Sequence, residues 1–174
     1  KSVSEGVFGR VTERNSPTLL NAGYLPVVMF DAHLTSLEMQ VIVPIQEHVE
    51  MDMKMGDLIA RLAKIEEYQN AARIIFNRDF DPYVLTRSIS AFQRTLISSN
   101  SRFDQFYYGK NQRVLNKSEL NGWKLFSEKL YCAKCHAPPH FTTFKAENNG
   151  LYTDYGVDQG RFRIFHDSSD IGKF

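Results

Sequence analysis

Apolar side chains recur at helical spacing over residues 35–130, and Pro, Gly and polar runs mark the breaks between them. Thr35 or Ser36 can cap a helix carrying Leu37, Val41 and Ile42, which Pro44 is expected to end. Glu38, three residues after Thr35, completes a capping box. Leu58, Ile59, Leu62 and Ile65 fall at i, i+1, i+4 and i+7, one face of a second helix. Tyr68, Ala71, Ala72, Ile75 and Phe76 form a similar stripe over residues 66–77. Asp81-Pro82 reads as an N-cap followed by proline at the first helical position. The helix it opens runs about four turns, with Leu85, Ile89, Ala91, Phe92 and Leu96 as its buried stripe. Residues 101–109 form a short aromatic helix ending at glycine, and a polar connector follows over 111–117. Asn116, with Glu119 at the third position, then starts a helix bearing Leu120, Trp123, Leu125, Phe126 and Leu130. Toward the N-terminus, Gly6, Gly9, Gly23, Pro17 and Pro26 break any long period, and Ser16-Pro17 is suited to open a short helix. Beyond Pro138-Pro139 the chain is rich in Gly, Asn, Asp and aromatics, a loop composition. The fold class is mainly α, with short strands at most and no internal repeat.

The chemistry is concentrated in one hexapeptide, Tyr131-Cys132-Ala133-Lys134-Cys135-His136. Cys132 and Cys135 are the only cysteines, and with His136 they make the pattern Cys-x-x-Cys-His. Two thiols three residues apart on one turn can add across the vinyl groups of a haem. The adjacent imidazole is then placed to ligate the iron. A disulfide at this spacing is strained and leaves His136 without a role. A thioredoxin-like pair needs a βαβ unit, which the pattern lacks. Zinc held by Cys132, Cys135 and His136 or His140 is the remaining alternative, although no second cysteine pair completes it.

Composition narrows the class further. With 43% hydrophobic and 24% charged residues the 174-residue chain is globular, sized for one ordinary or two small domains. A formal net charge of +1 gives no electrostatic reason to expect nucleic acid or an anionic membrane as a partner. No run of 18 apolar residues is present, so no membrane-spanning helix is expected. Haem is attached to Cys-x-x-Cys-His outside the cytoplasm, so the motif implies export to the periplasm. No signal peptide is visible, and the chain opens at Lys1, as a mature or excised segment would.

Several short blocks occur in a specific order. They are Arg14-Asn15-Ser16-Pro17-Thr18-Leu19-Leu20-Asn21, Ser36-Leu37-Glu38-Met39-Gln40, Pro44-Ile45, Glu50-Met51, Ser101-Arg102-Phe103-Asp104, Gly122-Trp123-Lys124-Leu125-Phe126, Cys132 to His136, and Asn148-Asn149-Gly150. As an ordered set spanning nearly the whole chain, they resemble the bacterial di-haem cytochrome c peroxidases, the family that also contains the methylamine-utilisation haem enzymes. The resemblance implies two cytochrome c-like domains, both incomplete here, each with a covalent haem c in the full-length protein. Residues 1–110 would be the latter part of the peroxidatic domain. Residues 111–174 would be the first part of the electron-transfer domain, with the attachment motif of this chain. The distal ligand of the second haem, usually Met, would lie beyond Phe174; no Met follows Met55. By this reading the chain is the middle of a larger enzyme and inactive alone.

The resemblance also assigns roles. Glu50 matches the acidic residue over the open face of the peroxidatic haem, which takes a proton from peroxide and returns it to the leaving oxygen. Gln40 matches the amide that orients peroxide or water there, and Pro44 a proline that shapes the pocket. Asn15 matches a ligand of the calcium ion between the two haem domains, which would make calcium a further cofactor. The implied activity is reduction of hydrogen peroxide to water, with electrons from a small donor such as a cytochrome c or a copper protein. Members are commonly homodimers, an assembly the resemblance allows for this chain.

Two departures stand out. Where the family often has Trp-Asp-Gly-Arg, this chain has Phe30-Asp31-Ala32-His33. The tryptophan lies between the haems and assists electron passage; Phe30 keeps a ring but lacks the indole N–H and is harder to oxidise. His33 reads as an exposed or hydrogen-bonded histidine rather than a new ligand. Some relatives carry a haem-capping histidine near residues 6–9, where this chain has Gly6-Val7-Phe8-Gly9, which would favour a permanently open site. His48, His140 and His166 carry no assigned role. The competing readings are a haem enzyme of the same family that oxidises a protein or organic partner, and a non-enzymatic c-type electron carrier.

Overall fold

The helical segments form largely where the apolar periodicity places them, and caps set most of their starts. The computed structural model describes residues 3–174, and it is mainly helical, with isolated bridges in place of strands. Helix α1 covers Leu37–Gln46, α2 Met55–Leu62, α3 Glu66–Phe76, α4 Pro82–Thr95, α5 Arg102–Tyr107, α6 Lys117–Lys124 and the single-turn α7 Phe162–Phe165. They belong to two compact units. One holds the residues up to Leu96 together with Ala146–Phe174, and the other is Ile97–Lys145. Compactness therefore cuts the chain elsewhere than the expected limit between 110 and 111.

In the larger unit Ser36 caps α1, its hydroxyl accepting from the Met39 N–H at 3.2 Å. The box of Thr35 with Glu38 does not form, because with Ser36 as the cap the third position is Met39. The Glu38 carboxylate instead accepts two hydrogen bonds from the Arg94 guanidinium, at 2.8 and 3.2 Å. Nor does Pro44 end α1, which continues to Gln46. The returning chain supplies donors for the carbonyls at this end: Met51 N–H bonds Pro44 O at 3.1 Å and Met53 N–H bonds Ile45 O at 2.8 Å. Ser16-Pro17 opens no helix; the first turn there is a 3-10 turn over Ala22–Tyr24.

The core is small and sits where α1 meets α4. Val41, Ile45 and Leu85 are buried, with Met53, Met55, Leu58, Ile59, Leu62, Phe80 and Ile89 packed on them. A second cluster joins Leu37 to Ala22, Val28 and Leu34. Ile65 falls outside both α2 and α3, and Ile75 is exposed, so those stripes are narrower than the periodicity suggests. The buried face of α4 differs most from expectation. Phe92 is 61% exposed, whereas Thr86, Ser90 and Gln93 are buried beside Val84 and Leu85. The small hydroxyls permit this because their donors return to their own helix: Thr86 Oγ1–H bonds Pro82 O at 2.8 Å, and Ser90 Oγ–H bonds Thr86 O at 2.6 Å.

The start of α4 follows the sequence closely. Asp81 Oδ1 accepts from Val84 N–H at 2.9 Å, with Pro82 at the first helical position. Asp81→Ala is expected to lower stability by about 1 kcal/mol, read as a reduced urea midpoint with an unchanged slope; an unaltered midpoint would show the cap to be dispensable.

In the smaller unit α5 and α6 both open with complete capping boxes, Ser101 with Asp104 and Asn116 with Glu119. Arg102 ties the two helices, donating to both Glu119 carboxylate oxygens at 2.7 Å. Helix α6 runs on into a π-helical turn over Leu125–Lys129. Tyr131, in the left-handed region at φ 58, then turns the chain into a 3-10 turn over Cys132–Lys134.

Candidate functional site

In the smaller unit the hexapeptide forms one tight turn. The N–H of Lys134 bonds Tyr131 O at 2.9 Å, and those of Cys135 and His136 bond Cys132 O at 3.2 and 2.9 Å. Both thiols are free. His136 Nδ1 lies 3.0 Å from the carbonyl oxygen of Phe141. A carbonyl only accepts, so Nδ1 carries the proton and Nε2 presents its lone pair, the arrangement that second-sphere bonds impose on ligating histidines. Among the described residues no three His, Cys, Asp or Glu side chains converge as a metal site, so a Cys-Cys-His zinc centre has no assembled donor set.

Aromatic rings surround Phe141. Phe103 lies 4.9 Å from Trp123, 5.5 Å from Tyr107 and 5.2 Å from Phe141 between ring centroids, and Phe126 lies 5.9 Å from Trp123. Phe103, Trp123, Phe126 and Phe141 line a groove of about 560 Å³, together with Leu115, Gly122 and the polar Ser101, Arg102 and Glu119. That volume falls in the range of about 300–1,000 Å³ typical of cofactor pockets. Cys132, Cys135 and His136 do not line the groove themselves. Phe141 links the two, lining the groove with its ring and holding His136 with its carbonyl. Free thiols, an oriented imidazole and aromatic surface in one unit suit a planar, largely apolar macrocycle.

The other sequence-predicted residues lie in the larger unit. Gln40 and Pro44 are one helical turn apart on α1, and Glu50 is in the turn that follows. Bonds from Glu50 N–H and Asp52 N–H to Glu47 O, both 3.0 Å, shape that turn, and Met51 N–H on Pro44 O anchors it to the helix. Glu50 is half-buried, and burial first, then the charge of Glu47, raises its carboxyl above the ordinary value of 4.5. Its backbone is covered by the residue 6–10 loop: Val7 N–H bonds Glu50 O at 2.7 Å, and a Cβ on Gly6 would stand 2.6 Å from the same oxygen. Glycine is required there by close approach.

Gln40 has a partner that sequence reasoning missed. Gln93 Nε2–H donates to Gln40 Oε1 at 3.1 Å, which fixes the amide orientation of Gln40. Gln93 is 6% exposed, and its own Oε1 is buried with no partner. The available signal was Thr86, Ser90 and Gln93 at i, i+4 and i+7, a polar stripe inside an otherwise amphipathic helix.

Phe30 and Asn15 are placed elsewhere in the same unit. Phe30 packs on Phe174, with centroids 5.4 Å apart, and the Arg14 guanidinium lies 5.0 Å from its ring. Asn15 Oδ1 accepts from Ser4 Oγ–H at 3.2 Å. His33 is neither exposed nor hydrogen-bonded as expected: it is half-buried, and its Nδ1 is buried without a partner. In the adjoining backbone, Asp31 Oδ1 accepts from Arg14 at 2.6 Å and the Asp31 and Ala32 carbonyls accept from Arg161 at 2.9 and 2.6 Å.

Comparison with known proteins agrees with these observations. The sequence profile of the family described as di-haem cytochrome c peroxidase matches residues 1–112. Methylamine utilization protein MauG of Methylophilus methylotrophus is 33% identical over 141 residues, 79% of this chain and 42% of that protein. Cytochrome c peroxidase Ccp of Escherichia coli K12 is 27% identical over 177 residues, 98% of this chain and 38% of that protein. The crystal structure of a MauG-like protein associated with microbial copper homeostasis superposes with a TM-score of 0.84 at 27% identity, covering 100% of this chain and 57% of that one. The chain thus spans less than half the length of these two curated relatives. On the matched profile, the relatives and the shared helical fold, the chain belongs to the di-haem cytochrome c peroxidase family.

Proposed function

We propose that this chain is part of an exported, periplasmic di-haem peroxidase that reduces hydrogen peroxide to water with electrons from a small cytochrome c or copper protein. Cys132 and Cys135 would anchor one haem c through thioethers, with His136 Nε2 as the ligand to its iron. When bound, the haem would supply one-electron redox chemistry. In the complete protein the haem domains divide at about residues 110 and 111, a second haem c belongs to the first of them, and the enzyme is a homodimer with calcium bound in part by Asn15.

The observation that carries the reading is Glu50. Burial and the neighbouring Glu47, rather than a cation, set its proton affinity, so the carboxylate is a stronger base than an exposed one. It takes the proton from the incoming peroxide and delivers it to the leaving oxygen; overall, peroxide gains two electrons and two protons and leaves as two waters. The Gln40 amide, oriented by Gln93, positions the peroxide, and Pro44 on the same helix borders its approach.

A pyridine haemochrome count on the full-length protein, produced with haem-attachment machinery, tests the cofactor assignment. Two c-type haems per polypeptide are expected, falling to one in Cys132→Ser/Cys135→Ser. An unchanged count in that variant rejects the attachment site. A second reading, oxidation of a protein or organic partner, is favoured by the likeness to the methylamine-utilisation protein. Phe30 weighs against it, because a phenyl ring is harder to oxidise than an indole. Steady-state peroxide consumption with a reduced small donor, against consumption with candidate oxidisable partners only, separates the two.

A further inference from the structure

We propose that Arg10 is a positioning residue for Glu50, pinning the residue 6–10 loop across the turn that carries the carboxylate. The inference rests on the reading of Glu50 as the residue that handles peroxide protons. Arg10 Nη1 reaches both sides of Glu50: it donates to the His48 carbonyl at 2.8 Å and to Asp52 Oδ2 at 2.6 Å. Its guanidinium also lies 5.0 Å from the ring of Phe8, which is 85% exposed at the loop tip and in the left-handed region at φ 58. The loop is closed on itself by Gly6 N–H to Arg10 O at 2.8 Å and Arg10 N–H to Val7 O at 3.2 Å. Displacement of Arg10 is therefore transmitted to Gly6 and Val7, the residues that touch Glu50.

The action is steric. On the turn, Glu47 is the charge that acts on Glu50, while His48 Nδ1 lies 3.2 Å from both Arg10 Nη1 and Asp52 Oδ2. From the loop the cation is Arg10, and its charge is matched by Asp52. What the clamp fixes is the Glu50 backbone, through Val7 N–H on Glu50 O, and with it the half-buried position in which burial is the first cause that raises the carboxyl. A loop lacking a haem-capping histidine is thus held in one place by a side chain that need not touch peroxide.

Two readouts on the full-length holoprotein test this. Hydrogen–deuterium exchange at the Val7 amide, bonded to Glu50 O, is expected to rise by about tenfold or more in Arg10→Ala and to stay near wild type in Arg10→Lys, which can still reach Asp52. The second-order rate of the peroxide reaction is expected to fall by about tenfold in Arg10→Ala, with its acidic limb moved to lower pH as water reaches Glu50. Asp52→Ala should reproduce both changes, and the double variant should be no worse than either single one. Unchanged exchange at Val7, or an acidic limb in Arg10→Ala that coincides with wild type while Glu50→Gln abolishes the limb, overturns the clamp and leaves the role of Glu50 standing. An acidic limb that persists in Glu50→Gln overturns the role of Glu50, and the positioning role with it.

Discussion

Glu50→Gln lowers peroxide turnover by about 10²–10⁴-fold without changing the number of haems. The amide keeps the volume and much of the hydrogen-bonding capacity of the carboxylate but cannot take up and return a proton. The sign of the pH dependence follows from burial. A carboxyl raised above 4.5 is ionised only at higher pH, so the wild-type rate declines as pH falls through that raised value. The Gln variant has no such limb. Because Glu47 adds to the shift, Glu47→Gln moves the wild-type limb to lower pH while leaving a carboxylate in place. Stopped-flow peroxide kinetics from about pH 4 to 8, around the usual carboxylate and histidine range, checks all three proteins. A Gln variant with the wild-type rate removes Glu50 from the mechanism.

Arg14→Ala is expected to destabilise the larger unit by about 2–3 kcal/mol, less than the ~3–5 kcal/mol of breaking a fully buried ion pair, since these groups keep some solvent contact. Arg14 donates from Nη1 to Asp31 Oδ1 at 2.6 Å, from Nε to Asp158 Oδ2 at 2.7 Å, and from Nη2 to Asp158 Oδ1. Its guanidinium also stacks near Phe30 and Phe174, at 5.0 and 5.4 Å. Truncation leaves a 13%-exposed Asp31 carboxylate without its cation and removes the packing that holds Phe30.

The acid dependence carries its own signature. Hydrogen bonds from Arg14 hold the Asp158 carboxyl below the ordinary value of 3.8. A depressed folded-state value contributes stability above 3.8 that is lost as pH falls through the lower value. The gap between wild type and Arg14→Ala is therefore full at pH 7 and narrows below 3.8. Urea midpoints at neutral and strongly acidic pH measure it, and equal midpoints at neutral pH would show the clamp to be energetically idle.

Local order was legible wherever a short stretch of sequence is sufficient for it. Asp81-Pro82, Ser101 with Asp104, and Asn116 with Glu119 mark helix starts because a cap needs only the side chain and the N–H groups of the next turn. The turn that gathers Cys132, Cys135 and His136 was legible for the same reason. Two thiols and an imidazole within five residues share one turn whatever surrounds them, and Cys132 O accepts from both Cys135 and His136. Composition and periodicity also sufficed for a mainly helical fold.

What only the tertiary structure decided depends on groups far apart in the chain. Glu38 pairs with Arg94 across the fold, and α1 runs past Pro44 to Gln46, where Met51 and Met53 return to the Pro44 and Ile45 carbonyls. The buried face of α4 follows the close packing of α1 rather than its own apolar stripe, which is how Gln93 comes to hold Gln40. Arg14 and Asp158 are 144 residues apart, and no local pattern predicts that pair. Gly6 and Glu50 meet in the same way: one is a glycine in a loop and the other an acid in a turn. Gly6 meets the Glu50 backbone, and the burial that raises the Glu50 carboxyl is a property of the folded chain.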